Sequence, residues 1–167
     1  KYENGAFTIT NKRVGVTRID LTKTWVDGNN AKNTRPESIT FQVTSSQNVF
    51  DGQNTKTYDV KLDAGGEWKL STEWYTKYDD NGAIIKYTIE EVSLNYAAGK
   101  TDYSDLYTRS SERVNYVIGP CHTGDVDTYL FTNTLSDTVV PYMNKYWADI
   151  HDDAAKKLRP DIFPILF

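Results

Sequence analysis

Apolar and polar residues alternate along most of the chain. Ile39, Phe41 and Val43 are separated by polar residues, and so are Tyr58, Val60 and Leu62. The same holds for Trp68 and Leu70, for Tyr87 and Ile89, and for Tyr129 and Phe131. A period of two predicts strands with one buried and one wet face. Turn-forming clusters separate these runs: Asp27-Gly28-Asn29-Asn30, Asp51-Gly52, Gly65-Gly66 and Asp80-Asn81-Gly82. The last lies between two β-rich runs and predicts a hairpin. Short strands with regular turn signals predict a sandwich or barrel. A helical turn is expected only at Asp152 to Leu158.

The pattern also repeats. Leu21-Thr22-Lys23-Thr24-Trp25-Val26-Asp27 returns as Met143-Asn144-Lys145-Tyr146-Trp147-Ala148-Asp149. Phe7-Thr8-Ile9-Thr10-Asn11-Lys12 returns as Tyr129-Leu130-Phe131-Thr132-Asn133-Thr134 at the same offset of 122 residues. Arg35-Pro36 returns loosely as Arg159-Pro160, two residues later than that offset. These spacings predict a repeat of about 120 residues. Residues 1–12 are expected to be the last strand of a preceding repeat, 14–135 a complete repeat, and 138–167 the opening of a following one. Asp137 to Pro141 would be the linker. Pro164 departs from the first copy and argues against a central strand there.

Composition narrows the function classes. Aromatics make up 13% of the 167 residues, including 12 Tyr and 4 Trp, enough for a packed core. The net charge is −4, with no long run of like charges, which argues against nucleic acid or an anionic membrane as partner. No apolar run approaches the ~18 residues of a membrane span. The single cysteine, Cys121, excludes an intrachain disulfide and cysteine-rich metal sites, so the fold must be stabilised in another way.

Four stretches in a fixed order then carry a resemblance: Lys23–Asp27, Arg35–Ile39, Lys77–Glu91 and Phe131–Thr134. As Lys-x-Trp-x-Asp, Arg-Pro-x-Ser-Ile, Lys-Tyr-Asp-x-x-Gly-x-x-Ile-x-Tyr-Thr-Ile-Glu-Glu and Phe-Thr-Asn-Thr, they resemble the Cna B-type repeat of Gram-positive surface adhesins and pilins. The resemblance implies an all-β, Greek-key β-sandwich of the prealbumin/Ig-like kind, with seven or more strands. It implies a structural role at the bacterial cell surface, with cell-wall attachment through other parts of the parent protein. Neighbouring repeats of the same polypeptide or fibre are the expected partners, and no cofactor is expected. Many members carry a spontaneous Lys–Asn isopeptide bond assisted by a buried acid. Transferred to this sequence, the lysine is Lys23, the asparagine Asn133, and the acid Glu91, with Glu90 as the alternative.

Strand alternation supports that transfer. Tyr87, Ile89 and Glu91 share one face, Phe131 and Asn133 share one, and so do Leu21, Lys23 and Trp25. Three polar groups are thus expected on inward faces, which is costly unless they are paired or bonded. Burial disfavours the lysine cation and the carboxylate anion alike. A neutral Lys23 could attack the Asn133 carbonyl while Glu91 polarises it and shuttles protons as ammonia leaves. Each molecule would react once, without turnover.

Other residues read more plainly. Trp25 and Trp68 are expected in the core. Trp74, Tyr75 and Tyr78 could instead form an exposed aromatic cluster, which would suit a carbohydrate- or host-protein-binding module, the alternative function. His122 and His151 lack a matching second ligand, and Cys121 is expected to be an isolated thiol. Asp27-Gly28-Asn29-Asn30 and Asp149-x-x-Asp152-Asp153 lack the spacing of a calcium loop and read as turns, so no metal is expected. No Ser/His/Asp set or paired catalytic carboxylates suggest an enzyme. Asn11 and Lys145 match the acyl and amine partners of flanking repeats and are candidates for a cross-link between repeats.

Overall fold

The computed structural model describes residues 11–120 and 123–136, and the backbone of two short strands before them. In chain order the strands are β1 (Tyr2–Glu3), β2 (Ala6–Phe7), β3 (Val16–Val26), β4 (Ser38–Ser45) and β5 (Thr55–Lys61). They continue with β6 (Trp68–Ser71), β7 (Tyr75–Thr76), β8 (Tyr87–Asn95), β9 (Tyr107–Val117) and β10 (Asp125–Leu135). One 3-10 turn, Ser104–Leu106, precedes β9. The expected helical turn at 152–158 lies outside the described residues. So do the second repeat copy at 143–149 and 159–162, the 137–141 linker, and Cys121, His122, Lys145 and His151.

Strands β1 and β2 pair with each other. The rest form two sheets, one ordered β6-β3-β10-β9 with β7 also on β3, the other ordered β5-β4-β8. Two connections are local hairpins, β4–β5 and β9–β10, and both make antiparallel pairs. The long links cross between the sheets. The outcome is that the first and last strands of the sandwich, β3 and β10, lie side by side and parallel, with Lys23 opposite Phe131 and Trp25 opposite Asn133.

The inner faces follow the sequence alternation. Ile19 and Leu21 from β3, Ile39, Phe41 and Val43 from β4, and Phe131 from β10 are buried in one core. Phe41 and Phe131 meet edge to face across the two sheets, with ring centroids 4.9 Å apart. The fold is therefore the expected all-β sandwich. One residue departs from its expected face: Leu62, bridged to Trp68 just past the end of β5, is 54% exposed.

The β4–β8 register slips between Thr40 and Phe41, leaving Val92 without an opposite residue. Such a bulge resets the alternation, so Ile89 and Leu94 both face the core although five residues apart. Glu91 precedes the bulge and keeps the inward phase of Ile89. The turn after β3 uses Gly28, Asn29, Asn30 and Asn33 in the left-handed region, which asparagine tolerates better than most residues. Gly124, just before β10, has φ +76 and backs onto Trp74 and Val16, where a Cβ would come within 2.6 Å of both.

Candidate functional site

The alternation of three strands delivers three polar side chains to one buried point. Lys23 comes from the middle of β3, Glu91 from β8 in the opposite sheet, and Asn133 from β10 beside β3. Lys23 and Glu91 side chains are 0% and 3% exposed, and Asn133 is wholly buried. Lys23 Nζ lies 2.8 Å from Glu91 Oε2. Asn133 Nδ2 donates to the other carboxylate oxygen, Oε1, at 2.8 Å. Glu91 thus bridges the amine and the amide.

The contacts are close but incomplete. Nζ and Oε2 are within ion-pair distance without being aligned as donor and acceptor, so each is left without a completed hydrogen bond. Asn133 Oδ1 has no donor at all. Buried polar atoms in this condition are uncommon, because each forfeits its hydration for nothing. Burial is also the main influence on Lys23. It pushes the amine down to about 8, against the opposing pull of Glu91, and the nearby charge of Arg109 adds to the lowering. The Trp25 ring, 5.0 Å from Nζ, forms one wall and is itself packed edge-on against Trp68 and Tyr107. An amine so placed is available as a nucleophile at far lower pH than an ordinary lysine.

Arg109 on β9 was not singled out by sequence reasoning. Its Nε lies 3.3 Å from Glu91 Oε1, and its backbone pairs with Asn133. Glu90 points outward and is exposed, which leaves Glu91 as the acid at the site.

A second lysine–acid contact has the opposite character. Lys77 Nζ is 2.5 Å from the buried Asp125, which also accepts from Tyr116. The contact with Asp125 raises Lys77. Burial pushes Asp125 up, but Lys77 and Tyr116 outweigh it and hold the carboxyl below its usual range. Both partners stay charged, so this is an ion pair and not an amine poised to react.

Asp27, read as a turn residue, is more than that. It accepts two bonds from the Arg35 guanidinium at 2.6 and 2.7 Å, one from Asn30 N at 3.0 Å, and a longer one from the Tyr107 hydroxyl. Lys-x-Trp-x-Asp and Arg-Pro are thereby tied together beside Trp25.

The proposed aromatic cluster does not assemble. Trp74 is 42% exposed and carries Arg18 on its ring, but Tyr75 is buried in the core and bonds Tyr58. Trp74 lies just before β7, whose first residue, Tyr75, faces the core. Asn11 is exposed. Among the described residues, no His, Cys, Asp and Glu side chains gather as a metal site, and no helix is long and apolar enough to cross a membrane.

Comparison with known proteins gives consistent results. The Cna protein B-type domain model matches residues 19–114. The collagen adhesin of Staphylococcus aureus is 34% identical over 92 residues, which cover 54% of this chain and 7% of the adhesin. A single B repeat unit of the Staphylococcus aureus collagen-binding surface protein aligns with TM-score 0.44 and 23% identity, over 72% of this chain and 47% of that one. The pilus adhesin SpaC of Lactobacillus rhamnosus GG aligns with TM-score 0.43 and 18% identity, over 74% and 12%. The chain therefore spans a small part of the curated relative it matches.

Proposed function

Because this chain belongs to the Cna protein B-type domain family, we propose that it is a stalk or spacer repeat of a cell-surface adhesin or pilus-like protein, locked by an amide bond between Lys23 and Asn133. Its work is mechanical: spacing, rigidity, and resistance to proteolysis. Residues 14–135 form the complete repeat in this reading, with flanking segments belonging to its neighbours, and those neighbours are its principal partners. The name of the matched relative points to collagen binding by that protein. For this repeat the separation of Trp74 from Tyr75 favours carrying a binding domain over being one.

One observation carries the cross-link. Lys23, Glu91 and Asn133 are buried in contact, and the atoms left without hydrogen bonds include the amine nitrogen and the amide oxygen. The depressed amine supplies the nucleophile. Glu91 reaches both the amine and the leaving nitrogen, so it can take a proton from one and give it to the other. An amide bond would remove the buried cation, and with it the desolvation penalty that an imperfectly satisfied pair incurs.

The test is the intact mass of the denatured chain. The expected value is lighter than the sequence mass by one ammonia, and Lys23→Ala, Asn133→Ala and Glu91→Ala should each restore it. An unmodified wild-type mass would sink the cross-link and leave only the spacer role.

A further inference from the structure

The chain enters and leaves the sandwich at opposite ends. Strand β3 starts at Val16, and β10 runs parallel beside it, so β10 stops at the far end, at Leu135. The 122-residue offset of the sequence repeat sets Arg13 at the position of Leu135. With residues 1–12 closing a preceding repeat, only Val14 and Gly15 separate the last strand of that repeat from β3. A link so short keeps Arg13 and Val16 within about 11 Å of each other. The exit end of the preceding repeat is thereby brought against the entry end of this one.

Resting on the repeat arrangement proposed above, we propose that the entry end of the sandwich is a docking face for the exit end of the preceding repeat, and that the joint is stacked and rigid, not a flexible hinge. Apolar surface is the first support. Among the described residues eleven large apolar side chains are exposed, and six of them sit at this end: Val14, Val16, Trp74, Ile84, Val117 and Ile118. The strand register puts them there. Val16 pairs with Thr76 of β7, and Val117 pairs with Val126 at the start of β10. Trp74 and Val16 both lie against Gly124. Ile84 is bridged to Tyr78, in a hairpin whose Lys77 N donates to Gly15 O at 2.9 Å. Val14 and Ile118, at 76% and 72%, are the most exposed large apolar residues described. Such a concentration at one end marks a surface that a partner covers.

The link itself is the second support, because it is already fastened to this repeat. Lys12 Nζ lies 2.6 Å from Asp80, and the Arg13 guanidinium stacks 5.0 Å from the centre of the Tyr78 ring. Gly15 is no swivel: a Cβ there would come within 3.1 Å of Tyr78, so glycine serves close approach to that ring. A cleft of about 750 Å³ opens beside the link, between it and residues 47–49 and 78–80, and leaves room for a turn of the neighbour. A short tether also gives the two ends a high effective concentration, so a modest apolar contact holds them together.

The experiment duplicates residues 14–135 within the full chain, so that Leu135 of the first copy runs directly into Val14 of the second. Nitrogen-15 relaxation then reads how the copies tumble. Docked copies should tumble as one body, about twice as slowly as the unduplicated chain, whereas hinged copies move separately. V14D/I118D in the second copy puts charge on the docking face and should release the copies from each other. V14S/I118S, a milder change, serves if the aspartates prevent folding. Separate tumbling of the unaltered tandem overturns the proposal, and so does a folded double variant that still tumbles as one body. Intact mass is taken on every sample. A tandem lacking two ammonias whose copies tumble separately refutes docking alone. A tandem at full mass refutes the cross-link, and its tumbling still decides the docking.

Discussion

Replacing Lys23 by methionine removes the amine while keeping a side chain of similar reach. The side chain it replaces is buried against Trp25, so the swap nearly conserves volume and its packing cost alone should stay below about 1.5 kcal/mol. The larger loss would be the proposed cross-link, which would close a loop of 110 residues between Lys23 and Asn133. By the chain-entropy argument used for disulfides, a loop of that length contributes about 5 kcal/mol. With the unfolding entropy of a domain of about 120 residues, each kcal/mol moves the midpoint by about 4 °C, so K23M should melt about 20 °C below wild type. Calorimetry on protein verified by intact mass measures this. The double variant K23M/N133A sharpens the test, because both changes delete the same bond and the second should add far less than the first. A wild type lacking one ammonia whose K23M variant melts within a few degrees would refute the entropic reasoning. Fully additive losses in the double variant would refute the shared bond.

The remaining predictions concern pH and a supporting ion pair. In Asn133→Ala the amine persists unlinked, with its folded value near 8 and its unfolded value at 10.5. The unfolded chain then binds the extra proton between those values, so stability should rise with pH across that window, by about 3 kcal/mol relative to K23M/N133A. Urea midpoints at a series of pH values report it, and a flat difference would contradict a buried amine. Asp27 is held below its ordinary value chiefly by hydrogen bonds from Arg35, so its stabilising effect is full above about 3.8 and is lost as pH falls through the lower folded value. Asp27→Asn should lower stability near neutrality by about 2–4 kcal/mol, since it leaves a half-buried guanidinium without its carboxylate, and should narrow the gap to wild type in strong acid. Equal losses at both pH values would show that shape, not charge, matters at that position.

Much of this site was legible because a strand's two-residue period decides which side chains meet. Leu21, Lys23 and Trp25 share a face by arithmetic, as do Ile89 and Glu91, and Phe131 and Asn133. Apolar neighbours mark that face as the inner one. Arg109 offered no such signal. Strand β9 is exposed from Thr108 to Val117, so its sequence lacks the alternation that would assign an inward face. Arg109 reaches Glu91 only because β9 is registered on β10 with Arg109 beside Asn133, a pairing that depends on the bulge between Thr128 and Tyr129. The Asp27–Arg35 pair was hidden for a different reason. Both residues lie in motifs that were visible, but the left-handed turn between them sets their meeting, and turn geometry is weakly encoded by residue type. The alternative of an exposed Trp74–Tyr75–Tyr78 cluster could not be decided from sequence, because nearness in sequence does not fix nearness on one surface: Trp74 is exposed and Tyr75 buried.

The parallel pairing of β3 with β10 also orders events in time. These strands open and close the sandwich, and a pairing between segments so far apart in sequence is slow to form. Glu91 comes from the opposite sheet, so the three reacting groups converge only when both sheets have closed on each other. The proposed amide would then act as a permanent record, written once per molecule, that the chain reached its finished state. A molecule stalled with β10 undocked would keep its ammonia and stay open to proteases. One that has closed would not retrace its path, and a later unfolding event would return to a chain already looped, with its first and last strands still joined.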